Sequence, residues 1–427
     1  MSKVLILTRN FPPYVTGGAS RAWKFATNFA AIGWEPVVVA PPAITGMSAV
    51  VSSGANPVKE LHRTAPEIDA GELDAATRCT LLHGQEVPGM NLPFPGKQVR
   101  QFKSVTDGPL WQKSAAATVE QLLEQYPEID LVYAQGPPLE PLMIALDVAR
   151  KHSLNLMLDI TAPLDPAMPA PGASRSSAAA KAEELILLSG VPLLTPNRFL
   201  KEYFLKKYPG RLDYNHVTIV PPAFDPSHPA FRRQESKTPA TVLRIAMHVE
   251  ELPKADLKAF LSALEAWIRT DGIAASGLEL SLSGTGVPEL LRRAAKKPIR
   301  QLIVIDETGG IDRELEACRD ASFFCAVLGS SAASSAIVPD RLVDALGMGR
   351  PLCAIAPEGE TSRLVIESGG MIAPAGNAGA IMELFRSMAS AWSFGNLQAA
   401  PDYLREKHAI SAVMQELTRA IASQPLR

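Results

Sequence analysis

Short unbroken apolar runs alternate along the chain with longer stretches in which apolar positions recur every three or four residues. A run without polar alternation fits a strand covered on both faces, and its alternation with amphipathic helices predicts parallel βαβ units. In the first half the predicted strands are 3–8, 36–40, 131–134, 155–159, 192–195 and 217–220, and the predicted helices are 20–32, 114–125, 141–151, 174–188 and 197–208. Segment 224–240 breaks the pattern with Pro226, Pro229 and Pro239 among Arg232, Arg233, Glu235 and Lys237, the composition of a link. The alternation then resumes with strands at 242–247, 278–283, 302–305, 322–328 and 351–355, and with helices at 254–269, 288–295 and 340–347. Stretch 51–99, with Pro57, Pro66, Pro88, Pro93 and Pro95, reads as an irregular insertion. The expected fold is α/β, two doubly wound Rossmann-like domains: 1–224, a link at 225–240, and 241–427, with the final helix free to pack back on the first domain. Ligands of such sheets bind beyond the carboxyl ends of the strands, so the expected site is a cleft that the two sheets face.

Composition narrows the function classes. At 427 residues the chain exceeds one ordinary core, and 47% apolar with 20% charged residues is globular composition. Lys+Arg 42 against Asp+Glu 44 gives a net charge of −2, which argues against a dedicated nucleic-acid binder. No apolar run reaches the ~18 residues of a membrane span. The opening run Val4-Leu5-Ile6-Leu7 is too short for a signal-peptide core and is followed by Arg9, so a cytoplasmic protein is expected. Cys79, Cys318, Cys325 and Cys353 form no CxxC pair, which predicts neither a disulfide framework nor a zinc site. The seven histidines show no metal-ligand spacing, and no Gly-x-Ser-x-Gly elbow occurs.

Five segments carry candidate chemistry. Phe11–Arg21 joins the first strand to the first helix through Gly17 and Gly18, either as a plain turn or as a loop that brings helix amides to an anionic group. In 338–351, Asp340 sits near a helix start and Asp344 one turn later. The second carboxylate either holds a vicinal diol or pairs with Arg341 or Arg350. Segment 356–363, with Gly359 and Glu360, begins another helix and offers amides to an anion or a hydroxyl, or is only a capped loop. Ser283-Gly284-Thr285-Gly286 lacks the third glycine of a dinucleotide fingerprint, because position 289 is Glu. Lys254 follows the first strand of the second half and is either a phosphate-neutralising charge or a solvated lysine. His248 ends that strand and either faces the site or is structural.

Together these segments resemble the GT-B glycosyltransferases, specifically the large retaining family 4 and its polysaccharide-building subgroup, over Val4 to about Pro374. The resemblance implies a sugar moved with retention from a nucleotide diphospho-sugar donor to a glycan or lipid-linked acceptor, with no cofactor and no metal. It places Gly17 and Gly18 on the glycine loop near the donor diphosphate and Lys254 near the phosphate-binding lysine. Asp344 falls where a glutamate holds the ribose, and Gly359 and Glu360 fall on the loop beside the donor. Gly18 and Lys254 are the implied catalytic positions. Departures are plain as well. Ala336 stands where the family has the first glutamate of a Glu-x7-Glu pair, His248 lies near a usual arginine, and Gln135 replaces a usual histidine. These changes motivate an alternative, a non-catalytic GT-B protein acting as partner of an active enzyme. A nucleotide-sugar epimerase is a third reading.

A lipid-linked acceptor would suit peripheral contact with anionic lipid on the inner face of the plasma membrane. Lys97, Arg100, Lys103 and Lys113 surround Phe102 and Trp111. Arg198, Lys201, Lys206, Lys207 and Arg211 accompany Phe199, Tyr203, Phe204 and Tyr208. The alternative for the second group is a core-facing aromatic stripe with a solvated basic face.

Overall fold

The computed structural model describes residues 2–12, 14, 18–42, 44–45, 58–64, 68–69, 108–165, 168, 178–232, 242–271, 277–295, 297–304 and 311–423. The chain divides into two compact units, Met1–Pro222 with Ile410–Arg427, and Ala223–Ala409.

The first unit holds strands β1 (Lys3–Leu7), β2 (Glu35–Ala40), β3 (Ile44–Thr45), β4 (Glu60–Arg63), β5 (Ile68–Asp69), β6 (Ile129–Gly136), β7 (Asn155–Ile160), β8 (Leu193–Thr195) and β9 (Val217–Ile219). Its helices are α1 (Ala19–Asn28), α2 (Gly108–Gln125), α3 (Leu139–His152), α4 (Ala178–Leu187) and α5 (Arg198–Lys207). Seven strands form one parallel sheet in the order β4-β2-β1-β6-β7-β8-β9, and β3 pairs with β5 apart from it. Every residue of β1 is buried, and Leu5 lies opposite both Val37 and Val132, as expected of a strand between neighbours with covered faces.

The second unit holds β10 (Leu243–Val249), β11 (Leu278–Ser283), β12 (Ile303–Val304), β13 (Phe323–Val327), β14 (Leu352–Ile355) and β15 (Met371–Ala373). The helices are α6 (Lys254–Asp271), α7 (Val287–Ala294), α8 (Ile311–Asp320), α9 (Asp340–Gly347), α10 (Glu360–Glu367), α11 (Ala378–Ser393) and α12 (Asp402–Lys407). The sheet is parallel in the order β12-β11-β10-β13-β14-β15. Successive side chains point to opposite faces. Leu243, Ile245, Met247 and Val249 join one core with α6 and α11, while Ala246, Phe324 and Ala326 join another with α9 and α10. Trp267 of α6 stacks on Phe385 of α11 at 5.1 Å, and truncating a buried tryptophan of this kind costs about 3–5 kcal/mol.

The final helix α13 (Ile410–Ala422) belongs to the first unit and packs on α1, with Ile410, Val413, Met414, Leu417 and Ala420 buried at helical spacing. In each sheet the first strand is flanked by its successor on one side and by a later strand on the other. The winding therefore reverses between β1 and β6 and between β10 and β13. Such switch points open a crevice at the carboxyl ends of the strands.

Three expectations change. The start of the segment read as a link is folded into the second unit, where Phe224 is buried and stacks on Phe231 at 5.6 Å, and His228 Nδ1 accepts from Ala230 N. Its remainder, 233–240, lies outside the described residues. Within the expected insertion, residues 60–63 form β4 because Glu60–Arg63 pairs with Val37–Ala40. The basic, aromatic segment 197–208 is the core-packing α5: Leu200 and Phe204 are buried, Lys207 lies buried 2.5 Å from Glu183, and Lys201 sits over the Tyr214 ring. Arg198 and Lys206 share Glu202, and Arg211 pairs with Glu184. Arg198, Lys206 and Arg211 stay largely exposed in these surface pairs, so the structure realises the alternative of a core-facing stripe with a solvated basic face. In the other basic stretch Trp111 is fully buried, and Lys97, Arg100, Phe102 and Lys103 lie outside the described residues. No helix among the described residues is long and apolar enough to cross a membrane.

Candidate functional site

At the switch point of the first unit, β1 ends at Leu7 and β6 ends at Gly136, side by side. The chain leaving β1 turns into α1 at Gly18, which adopts φ +87°, a left-handed conformation that side chains with a Cβ disfavour. The Gly18 carbonyl accepts from Ala22 N at 3.0 Å, the first bond of the helix, and from Gln135 Nε2 at 3.0 Å. Gln135 Oε1 lies 3.0 Å from Thr8 Oγ1, which is also within bonding distance of the Asn10 carbonyl and accepts from Asn10 N. Asn10 Nδ2 donates to the Pro137 carbonyl. Neutral polar groups thus surround the Gly18 turn, and beside them Arg9 of the same loop pairs with Glu140 of α3 at 3.2 Å. Gly17 lies outside the described residues.

One turn into α1, Arg21 forms a bidentate pair with Asp159 at the end of β7, at 2.7 and 3.1 Å, and donates to the Val220 and Pro221 carbonyls. Asp159 also accepts from the Tyr133 hydroxyl, whose pKa is driven well up by burial and then by the Asp159 charge. The pair has its remaining acceptor sites filled by hydrogen bonds, the condition under which a buried ion pair is tolerated. Its effect is to fix the orientation of α1. Sequence reading gave neither Arg21 nor Asp159 a role; the available signal was a lone acid ending an otherwise apolar strand.

The second switch point is charged. His248 at the end of β10 is nearly buried, with Nδ1 3.2 Å from Ser283 Oγ and Nε2 3.0 Å from Glu250 Oε1; Glu250 Oε2 accepts from Thr285 Oγ1. His248 is therefore built into the wall. Lys254 opens α6, is exposed, and makes no hydrogen bond or ion pair among the described residues. Two residues on, the buried Asp256 accepts from Ser330 N at 2.6 Å and ties the start of α6 to the loop leaving β13.

That loop carries Ala336, fully buried, into α9. Asp344 is also fully buried, and its Oδ2 accepts from Arg341 Nη1 at 2.6 Å, while Arg341 Nε meets Glu314 at 2.9 Å. Burial holds the Glu314 carboxyl above its ordinary range despite the nearby guanidinium. Of the two readings left open for Asp344, this conformation realises the pair with Arg341; a ribose contact would need its carboxylate at the surface. Gly359 caps α10, its N–H donating to Ser362 Oγ at 2.9 Å, and a Cβ there would lie 2.3 Å from the Ser335 carbonyl oxygen. Glycine is required at 359 by that close approach. Thr361 Oγ1 donates to the Ile337 carbonyl, and Glu360 pairs with Arg363 at 3.2 Å. Lys254, Gly359, Glu360 and Asp344 thus belong to segments at the carboxyl edge of one sheet, whereas Gly18 belongs to the other unit. Among the described residues no cluster of His, Cys, Asp or Glu could hold a metal ion.

No family model matches this chain, and no curated protein matches it in sequence. Solved structures do match in shape. Sucrose-phosphate synthase from Thermosynechococcus elongatus superposes over 99% of this chain and 100% of its own, with a TM-score of 0.62 at 12% identity. The Anabaena protein HepE, solved in complex with UDP-glucose, covers 99% and 100% with a TM-score of 0.62 at 11% identity. A putative UDP-N-acetylglucosamine 2-epimerase from Listeria monocytogenes covers 99% and 96% with a TM-score of 0.52 at 12% identity. The fold is accordingly α/β with two Rossmann-like domains, the GT-B architecture.

Proposed function

We propose that this protein is a glycosyltransferase that takes a sugar from a nucleotide diphospho-sugar and delivers it, with retention, to a glycan or lipid-linked acceptor. The observation that carries the reading is the pair of parallel sheets whose switch points are each followed by an exposed or glycine-started helix N-terminus: Gly18 before α1, and Lys254 at the start of α6. Helix N-termini favour anions, and their amides with a nearby ammonium stabilise the charge that develops on a leaving diphosphate; stabilisation of that kind often dominates the rate enhancement. In the first unit Gly18 and the amides that follow Gly17, and in the second unit Lys254 and the amides that follow Gly359, are the groups we assign to that role, with Glu360 on the loop beside the donor. Asp344, engaged by Arg341, shapes the nucleotide wall and does not touch the ribose in this conformation. That HepE was solved with UDP-glucose, and that a putative epimerase of UDP-N-acetylglucosamine shares the fold, supports a nucleotide-sugar ligand.

Calorimetry with UDP, GDP and ADP, followed by a donor screen and NMR of the product anomer, tests the reading. Binding of one nucleotide with turnover and a retained anomer is expected. No binding of any nucleotide at millimolar concentration would exclude it.

A second reading, a non-catalytic partner of an active enzyme, is favoured by the buried Ala336 and by the internal bonding of His248 and Gln135. It predicts nucleotide binding without donor turnover or hydrolysis.

A further inference from the structure

The amide of Gln135 spans the first switch point, and its consequences go beyond filling space. We propose that Gln135 is a positioning residue that sets the glycine turn at Gly18, and with it the first amides of α1, in an anion-receiving arrangement that does not depend on pH. This rests on the reading of the site as one for a nucleotide diphosphate.

Gln135 is fully buried, so a side chain with one donor group and one acceptor must find both partners inside the protein. The Gly18 carbonyl can only accept, so it fixes which end of the amide faces it: Nε2 donates to Gly18 O and Oε1 faces Thr8 Oγ1. The same carbonyl starts α1 through Ala22 N. Gln135 is therefore bonded to the group that defines both the left-handed turn and the first helical bond. The fit is close: a Cβ on Gly18 would sit 3.0 Å from Gln135 Nε2 and 3.7 Å from Asn10 Nδ2. Asn10, bonded to Pro137 O beyond β6, holds the loop on the far side of the amide. A carboxamide has no ionised form in the working range of a protein, so this clamp keeps its donor at every pH. A carboxyl group in its place keeps the donor only while protonated.

That contrast supplies the test. Gln135→Glu is nearly isosteric. While the introduced carboxyl is protonated it donates to Gly18 O; once ionised it sets a carboxylate against that carbonyl. Gln135→Met removes the donor at all pH values. UDP affinity is measured from pH 5.5 to 9 for the parent and both variants, with melting temperatures to confirm folding. Hydrogen exchange of the segment containing Ala22 is followed at matched pH. The expected result for Gln135→Met is a loss of about tenfold in affinity at every pH, the effect of one lost buried hydrogen bond, with faster exchange at Ala22. Gln135→Glu is expected to match the parent at low pH and fall by tenfold or more as pH rises, a rescue that a purely structural role would not give. Affinity and Ala22 exchange equal to the parent in both folded variants at all pH values would overturn the proposal. If the parent binds no UDP, GDP or ADP, the nucleotide reading fails separately. The exchange data then decide the positioning role alone, and unchanged protection of Ala22 in Gln135→Met would overturn it.

Discussion

The two switch points solve one problem with different chemistry. Each must hold the loop after its first strand against the strand across the reversal. In the first unit the groups that hold the Gly18 turn itself are neutral, Thr8, Asn10 and Gln135 bonding around Gly18 and Pro137, while the ion pair of Arg9 with Glu140 of α3 at 3.2 Å ties the loop after β1 to the helix after β6. In the second the hold is ionic, the Asp256 carboxylate accepting from Ser330 N beside His248, Glu250 and the exposed Lys254. A neutral clamp holds its turn without adding local charge. A carboxylate beside an exposed ammonium places fixed charge at the carboxyl edge of its sheet. The turn of the first switch point is thus set by neutral amide and hydroxyl groups, and the helix start of the second by a carboxylate.

The strongest way to break the comparison is at the turn itself. Gly18→Val puts a β-branched side chain at φ +87° and against the Gln135 amide. Strain of this kind costs about 1–3 kcal/mol, and relief requires the turn to flip. Nucleotide affinity should fall about a hundredfold with the fold intact, as read by calorimetry and circular dichroism. Normal binding would reduce the turn to a connection.

The next effect falls on stability. Asp344→Ala leaves the buried Arg341 with Glu314 as its carboxylate partner. Breaking a buried pair costs about 3–5 kcal/mol, and the retained partner puts the loss near the lower end. Denaturant unfolding should show it, with UDP affinity changed far less than stability. A large affinity loss in a variant as stable as the parent would instead return Asp344 to the ribose.

That reversal marks where the sequence stops being legible. The parallel α/β halves were readable because β1, β13 and their neighbours are continuous apolar runs. The short edge strand β15 carries too little pattern to be separated from a loop, whereas the two-residue β12 falls within the predicted strand 302–305, and β4 lay in a proline-rich stretch whose pairing with β2 is a tertiary fact. Gly18 and Gly359 were legible as positions, but the reasons for glycine there differ: a positive φ at the first, a closely approaching carbonyl at the second. Gln135 was readable only as a substitution for histidine, because its partners Thr8 and Gly18 lie more than a hundred residues away. The core-facing side of α5 was hidden for the same reason: its buried Lys207 meets Glu183 of α4, distant in the chain.

A smaller effect separates the two clamps. Asp256→Ala removes the acceptor of Ser330 N at a buried position. A charge-assisted bond contributes roughly 1.5–3 kcal/mol, against about 1 kcal/mol for a neutral one. Asp256→Ala should therefore lower the melting temperature more than Thr8→Val does in the first unit. Equal shifts would show that the charge at the second switch point adds nothing to its hold.

The smallest effect on stability is the most telling for function. Lys254 opens α6, an eighteen-residue helix, at the end where the backbone dipole is positive. A cation there is disfavoured by about 0.3–1 kcal/mol, and Asp256 in the same turn offsets part of this. Lys254 is exposed and no acid among the described residues pairs with it, so its place is not explained by the fold. Lys254→Ala should leave stability unchanged or raise it by about 0.3 kcal/mol. It should at the same time weaken binding of a nucleoside diphosphate about tenfold, the value of one charge-assisted contact, and less so at high salt, where the parent's advantage is screened. The corresponding nucleoside, lacking phosphates, should bind both proteins alike. Melting curves with paired titrations of UDP and uridine read all three outcomes. A variant that is destabilised, or that loses uridine as strongly as UDP, would make Lys254 part of the scaffold and leave the field of the second switch point to its acids alone.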